Sequence, residues 1–284
     1  MKIYKKCHAR DKIPNSCFYV PCLYFAFVRM GTLGKCFGFF SYFILPTFYY
    51  FFYSAHFSLS YIPIYVLSFL LLYNLYEIGY IENDTEAIKR ELNPSVRLYP
   101  YNLAYYERHK GLIYSVKLLT GIFFNVCLLL AVDFQVGSIW FSCMSWSLLF
   151  LFFLYNRIRT RLSLLLFISL QVLKFIAFAL FFYPFVQLVA IVGLLLAYPF
   201  SNVVERLSYE RYGIVSIRRW LPDKSCFTAF RCGYLGIVTL GYIILNLLDL
   251  VTYWDYLVFI YLFLFRLLLY ALLRNHIKPA NYLS

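Results

Sequence analysis

The chain has 284 residues, of which 63% are hydrophobic and 14% are charged. Average soluble domains are about 45–50% apolar and about 25% charged, so a mean hydropathy of +0.70 excludes a soluble globular protein, a disordered chain and a disulfide-linked secreted domain. Basic residues that orient membrane helices explain the net charge of +13 better than a nucleic-acid partner does, and we expect no nucleic acid to bind.

Eight apolar stretches are long enough to cross a bilayer, which takes about 20 helical residues. They are residues 36–54, 60–81, 111–132, 136–155, 162–183, 184–200, 233–252 and 256–273. Since lipid offers the backbone no hydrogen-bond partner, the predicted fold class is an all-α, polytopic membrane bundle. Residues 17–34 are apolar but interrupted by Pro21 and Arg29. We interpret them as an amphipathic or half-inserted helix, with a ninth span as the alternative.

Lys and Arg residues are concentrated at one side of these spans. Of the 26, three lie inside spans and 23 lie in the termini and in alternate connections. The opposite connections contain none, and they are residues 55–59, 133–135, 183–184 and 253–255. The positive-inside rule therefore predicts that both termini are cytoplasmic. The predicted location is the cytoplasmic (inner) membrane of a bacterium.

The connections also suggest how the chain is organised. Two of them are long and polar, and each follows the second span of one half of the chain, over residues 82–110 and 201–232. We predict a basic N-terminal segment, 1–35, before a single membrane domain, 36–284. Its two halves are roughly 36–155 and 156–275.

Acids and amides cluster where the second span meets the first long connection. At 100° per residue, Asn74, Glu77 and Asp84 lie within about 80° on one helix face. Glu77 precedes the predicted end of the span, where an ionisable side chain is costly and indicates function. Carboxylate and amide oxygens suit Mg²⁺, which bridges carboxylates to phosphate oxygens. We interpret Glu86 and Glu91 as parts of a solvated loop.

Basic residues that suit a phosphate accompany this cluster. Lys89, Arg90 and Arg97 follow it directly. Arg157 and Arg159 lie in the basic turn after the fourth span, where anchoring the topology explains them without a further role. Inside the fifth span, Lys174 is expected to face a polar cavity or an acid.

A second polar cluster begins the other long connection. Asn202 and Glu205 share a helix face, and Arg211 is a further candidate phosphate donor. An amphipathic helix with basic residues at the lipid headgroups explains this cluster equally well.

The arrangement of residues 60–275 resembles the UbiA superfamily of intramembrane prenyltransferases. Acid-rich motifs of that family follow the second and sixth spans, and the first is Asn-Asp-x-x-Asp-x-x-x-Asp. Asn74 and Glu82 match its first and last positions, whereas Leu75 and Ile78 replace two acids. In the second motif, acids are followed by Gly-x-x-Ser. Residues keeping that spacing are Glu205, Gly213 and Ser216.

The resemblance implies a helical transferase in which Mg²⁺ holds a phosphorylated donor and a polyprenyl-type lipid lies between helices. The predicted magnesium ligands are Asn74, Glu77, Glu82, Asp84, Asn202 and Glu205. The predicted phosphate-binding residues are Lys89, Arg90, Arg97, Arg157, Arg159, Lys174 and Arg211. Either a prenyl or a phosphoribosyl group is expected to be transferred.

Two other functions fit the sequence. A transporter or flippase of lipid-linked saccharides would place polar residues throughout the spans and substantial loops on both sides, whereas this chain has polar loops on one side. A non-catalytic multi-pass membrane protein would account for the incomplete acidic motifs directly.

Overall fold

The computed structural model describes residues 13–90, 94–158, 160, 162–181, 188–209, 212, 214–221 and 226–274. These residues form helices and contain no strand, so the all-α fold class is confirmed. Seven helices in this part of the chain are long and apolar enough to cross a membrane. The protein is a multi-pass helical membrane protein.

The helices form a bundle of hairpins. In chain order they are α1 (Leu33–Ser54), α2 (Ile62–Thr85), α3 (Pro100–Ala131), α4 (Val136–Arg157), α5 (Ser163–Leu180), α6 (Leu188–Ala197), α7 (Pro199–Leu207), α8 (Val215–Trp220), α9 (Cys226–Leu247) and α10 (Tyr253–Arg274). Helix α2 packs on α3 and α4, α4 packs on α5, and α9 packs on α10. Helix α1 contacts α5, α6 and α10 and so joins the two halves.

Short turns close one end of the bundle. Three of these turns contain a non-glycine residue with positive φ. They are the turn between α1 and α2 (His56), the turn between α3 and α4 (Asp133) and the turn between α9 and α10 (Asp249). Such left-handed residues let a helix end and the chain reverse within a few positions. The last turn begins after Leu247, so the predicted seventh span was about five residues too long. The opposite end carries the long connections, and we call it the basic end.

The predicted sixth span, 184–200, is not one continuous helix in the described residues. Helix α6 has ten residues, and the chain leaves helical geometry at Tyr198 (φ −148°, ψ −46°) before α7 begins. Pro199 explains the break because its ring disfavours helical geometry in the preceding residue and it has no N–H to donate. Residues 182–187 lie outside the described residues.

The segment before α1 is folded into the basic end. It contains a 3₁₀ turn, Asn15–Phe18, and a π-helix, Phe25–Arg29. Between them Cys22 has a φ of 65°. None of the seven candidate spans lies in this segment, so the ninth span is not found, and buried side chains such as Tyr24 hold the segment against the bundle.

Aromatic rings fill the centre of the bundle. Phe43 of α1 lies 5.0 Å from Phe175 of α5 between ring centroids, an edge-to-face arrangement that adds to the gain from burial. Helices α2 and α4 cross closely at Gly79, where an added Cβ would lie 2.2 Å from the Phe152 ring. Asn156 of α4 also donates to the Gly79 carbonyl oxygen (2.8 Å). This crossing fixes the helix faces that carry the polar residues.

Candidate functional site

Glu77 is buried and fully engaged by protein groups. Its carboxylate accepts hydrogen bonds from the backbone N–H groups of Phe25 (2.7 Å) and Cys22 (3.0 Å). The Lys117 Nζ of α3 lies 2.5 Å from Oε2. We call these four residues the Glu77 cluster. It ties the N-terminal segment to α2 and α3, so Glu77 holds the fold together at this point.

Asn74 has a similar position one turn earlier. Its side-chain amide donates to the Lys117 carbonyl oxygen (2.7 Å), and its Oδ1 is buried without a hydrogen-bond partner in the described residues. Gly121 of α3 lies opposite, where a Cβ would come within 3.3 Å of the Asn74 Nδ2. Asn74 therefore belongs to the contact between α2 and α3.

Asp84 lies between two arginines. Its Oδ1 is 2.8 Å from a guanidinium nitrogen of Arg29 and 2.8 Å from one of Arg97, and Oδ2 accepts from the Tyr24 hydroxyl (3.0 Å). Asp84 thus orients both guanidinium groups at the basic end and has little capacity left for a metal ion.

Glu205 is paired in the same way in the second half of the molecule. Arg231 of α9 donates from Nε and Nη2 to its two carboxylate oxygens. Burial raises the pKa of the Glu205 carboxyl, and the adjacent guanidinium opposes that shift. The pair joins α7 to α9 and holds Arg231 in place.

Two neighbouring cavities near the basic end carry basic side chains and no carboxylate on their described walls. We call them together the basic chamber. The first, of about 440 Å³, has four cationic wall residues, namely Lys35, Lys174, Arg231 and Arg266. The second, of about 350 Å³, has three, namely Arg29, Arg97 and Arg206. Tyr80 and Gln171 belong to both walls, so the cavities adjoin.

Two of these cations are buried and have no counter-charge in the described part of the chain. Lys174 is 7% exposed, and its Nζ lies 4.4 Å from the Phe43 ring centroid. Arg266 is also 7% exposed, lies 4.2 Å from the Tyr42 ring centroid, and has a buried Nε without a hydrogen-bond partner. Ring faces attract cations but do not replace a counter-ion in a membrane interior. An anion entering the cavity would supply one.

The chamber also contains unused hydrogen-bonding groups. The hydroxyl groups of Tyr42 and Tyr73 and the Oε1 of Gln171 are buried without partners in the described residues. Asn202 lies on the same wall. Phe25, Met30 and Phe39 complete it with apolar surface. The chamber therefore combines hydrogen-bond donors and positive charge with a lining that accepts a hydrocarbon chain.

The predicted site residues are distributed over several places. Those lining the chamber are Arg97, Lys174 and Asn202, whereas Glu82, Arg90 and Arg157 line a separate groove. Lys89 is exposed and pairs with Glu86 (3.0 Å) and Glu107 (2.5 Å). Arg159 and Arg211 lie outside the described residues.

The predicted magnesium ligands do not form one donor set in the described residues. Glu77, Asp84 and Glu205 each face a cation of the protein, and Glu82 faces the separate groove. The described part of the chain has no group of three or more His, Cys, Asp or Glu side chains placed to hold a metal ion. Magnesium binding therefore stays a prediction from the sequence.

Several chamber residues were missed by the sequence analysis. They are Arg29, Lys35, Arg206, Arg231 and Arg266. Arg266 carried the clearest signal, because it is a lone charge within a span without an acid near it in sequence. The others lie in segments whose basic residues the topology already explained.

Comparison with protein-family models, with curated proteins and with solved structures finds no match. Membership of the UbiA superfamily therefore stays a prediction from the motifs.

Proposed function

We propose that this protein binds a phosphorylated polyprenyl-type lipid in the basic chamber and acts on it as a membrane transferase. The supporting observation is the pair of buried cations, Lys174 and Arg266, that face a cavity of about 440 Å³ without a carboxylate. Arginine and lysine are the side chains that bind phosphate oxygens best. The basic end faces the cytoplasm of a bacterium in this proposal, with both termini on that side.

The chain's own residues suggest how a transferase would use the chamber. Positive groups fixed around a phosphate or diphosphate stabilise the negative charge that grows on it as a bond to its oxygen breaks. Lys174, Arg266 and Arg231 would surround that group, while the rings of Tyr42 and Phe43 exclude water from the reacting end of the chain. Asp84 and Glu205 act indirectly, because they hold their arginines in position.

Binding is tested with the protein in nanodiscs and three probes of equal chain length, a polyprenyl phosphate, a polyprenyl diphosphate and the neutral polyprenol. We expect both charged lipids to bind at least tenfold more tightly than the alcohol. Lys174→Met and Arg266→Met should remove that preference, whereas Lys89→Met, which alters an exposed lysine, should keep it. Equal binding of all three probes would contradict the proposal.

A non-catalytic lipid-binding protein is the second candidate. It is favoured by the ion pairs that occupy Glu77, Asp84 and Glu205. Incubating the reconstituted protein with a polyprenyl diphosphate or phosphoribosyl diphosphate and membrane lipids, with Mg²⁺ or with a chelator, separates the two. A new lipid product supports a transferase, and its loss with chelator supports the magnesium prediction. Tight binding without product favours the second candidate.

A further inference from the structure

A third cavity, of about 580 Å³, lies on the other face of α2. We call it the lateral groove. Ile78, Glu82 and Glu86 contribute its floor at spacings of four residues, so they share one helix face. Tyr76 and Tyr80 line the chamber from the opposite face. The lateral groove and the chamber are therefore different sites, separated by α2 itself.

The walls of the lateral groove change from charged to apolar along the helix axes. On α3 the lining residues are Lys110, Tyr114 and Leu118, which cover about 12 Å at 1.5 Å per residue. On α4 the groove begins at Arg157 near the basic end and reaches Trp146 deeper in the bundle. Charged side chains lie at one end and hydrocarbon surface at the other, which is the polarity profile of one bilayer leaflet.

The charged end of the lateral groove contains both acidic and basic side chains. The Glu86 carboxylate already accepts hydrogen bonds from three side chains of the protein, namely Lys110, Lys89 (3.0 Å) and the Tyr106 hydroxyl (3.0 Å). In the described part of the chain, Glu82 and Arg157 form no ion pair within 4 Å, although the guanidinium groups of Arg157 and Arg90 are close enough to attract the Glu82 carboxylate.

The Arg157 guanidinium lies 3.6 Å from the Phe153 ring centroid, and Arg90 lies on the same wall. One carboxylate and two guanidinium groups are thus available to a ligand that enters the lateral groove.

We propose that the lateral groove binds a phospholipid whose headgroup carries a phosphate and a primary ammonium, as in phosphatidylethanolamine. Arg157 and Arg90 bind the phosphate, Glu82 accepts hydrogen bonds from the ammonium, and an acyl chain lies along Leu118 and Phe150. A lipid with negative charge alone would bring its phosphate close to the Glu82 carboxylate without supplying an N–H donor to it. Charge complementarity therefore selects an aminophospholipid over an anionic one.

The test reconstitutes the full chain in vesicles of equal parts phosphatidylethanolamine, phosphatidylglycerol and phosphatidylcholine, and measures retained lipids by native mass spectrometry. We expect at least threefold enrichment of phosphatidylethanolamine over each of the others. Phosphatidylcholine has the same charges but a quaternary nitrogen without N–H donors, so it isolates the ammonium contact without any mutation. Equal retention of the three lipids would overturn the proposal.

Two variants locate the site. Glu82→Gln should lower the enrichment to near one, and Arg157→Gln should reduce all retained phospholipid, whereas Glu107→Gln, an exposed acid outside the lateral groove, should change neither. Unchanged enrichment in Glu82→Gln would place the lipid elsewhere. Lys174→Met should leave the enrichment intact, so this proposal and the proposed function can fail separately.

Discussion

Two buried lysines of this bundle have opposite surroundings. Lys117, 0% exposed, is neutralised by Glu77 and belongs to the Glu77 cluster. Lys174, 7% exposed, faces the basic chamber and has aromatic rings around it, with no carboxylate in the described residues. A charge that has its counter-ion within the protein holds helices together, whereas one that has none is available to a ligand. The counter-ion, and not burial, distinguishes the two regions.

Breaking the Glu77 cluster should have the largest effect on stability. Glu77→Gln leaves Lys117 buried without a negative partner, and such losses lower the free energy of unfolding by about 3–5 kcal/mol. Lys174→Met, in contrast, removes an unpaired charge and should leave that free energy equal or higher. Denaturant unfolding of both variants in the same detergent measures the difference.

A double variant provides the control for this prediction. Glu77→Gln combined with Lys117→Met removes both charges, so it should recover part of the loss. If Glu77→Gln and Lys174→Met unfold at the same denaturant concentration, the distinction between the two lysines is incorrect.

A bound ligand should make the wild type more stable than Lys174→Met. A polyprenyl diphosphate at one hundred times its dissociation constant raises the free energy of unfolding by about 2.7 kcal/mol when it binds the folded state alone. We expect this rise in the wild type and in Lys89→Met, and its absence in Lys174→Met. The same unfolding assay with and without lipid measures it, and a rise of equal size in Lys174→Met would show that the lipid binds outside the chamber.

The close crossing of α2 and α4 should respond more weakly. Gly79→Ala places a methyl group about where the Phe152 ring lies, and overpacking of this kind costs about 1–3 kcal/mol. Gly111→Ala is the matched control, because its Cβ would have no atom within 4 Å and Ala favours the helix by about 0.5–1 kcal/mol. Thermal unfolding of the two variants should shift in opposite directions.

The smallest expected effect concerns the packing of the N-terminal segment against the bundle, and thiol labelling measures it. Burial raises the pKa of Cys17 to about 12, so at pH 8 it should hold almost no reactive thiolate, whereas the Cys36 side chain is exposed to the reagent. Peptide mass spectrometry after brief alkylation should find Cys36 modified and Cys17 intact. In Glu77→Gln, release of the segment should make Cys17 react. Rapid labelling of Cys17 in the wild type would contradict this packing.

Hydropathy was sufficient to predict the fold class and seven of the spans, because a helix is the structure that satisfies the backbone in lipid. It was not sufficient for the sixth span, where composition is apolar throughout but Pro199 interrupts the helix. The shared helix face of Asn74, Glu77 and Asp84 placed Glu77 in a metal site, and the resemblance to a known family placed Glu205 there. Their partners, Lys117 and Arg231, are 40 and 26 residues away in sequence, and such pairings depend on how the helices pack.

Lys174 was predicted to face a polar cavity or an acid, and the first alternative is found. Arg266 had no predicted partner, because the ring beneath it belongs to Tyr42 of another helix. Positions of single charges within spans were therefore informative, while the walls that surround them required the three-dimensional structure.

The π-helical stretch of α1, Phe40–Ile44, buries three consecutive side chains, Ser41, Tyr42 and Phe43. An ordinary α-helix spreads three successive residues over about 200°, and the wider π-helical turn narrows that spread. Tyr42 lies under Arg266 and Phe43 under Lys174. This one turn of backbone therefore sets the spacing of the two rings against which the two buried positive groups lie. Deleting a single residue from this turn would change that spacing, and with it the size of the anionic group able to touch both.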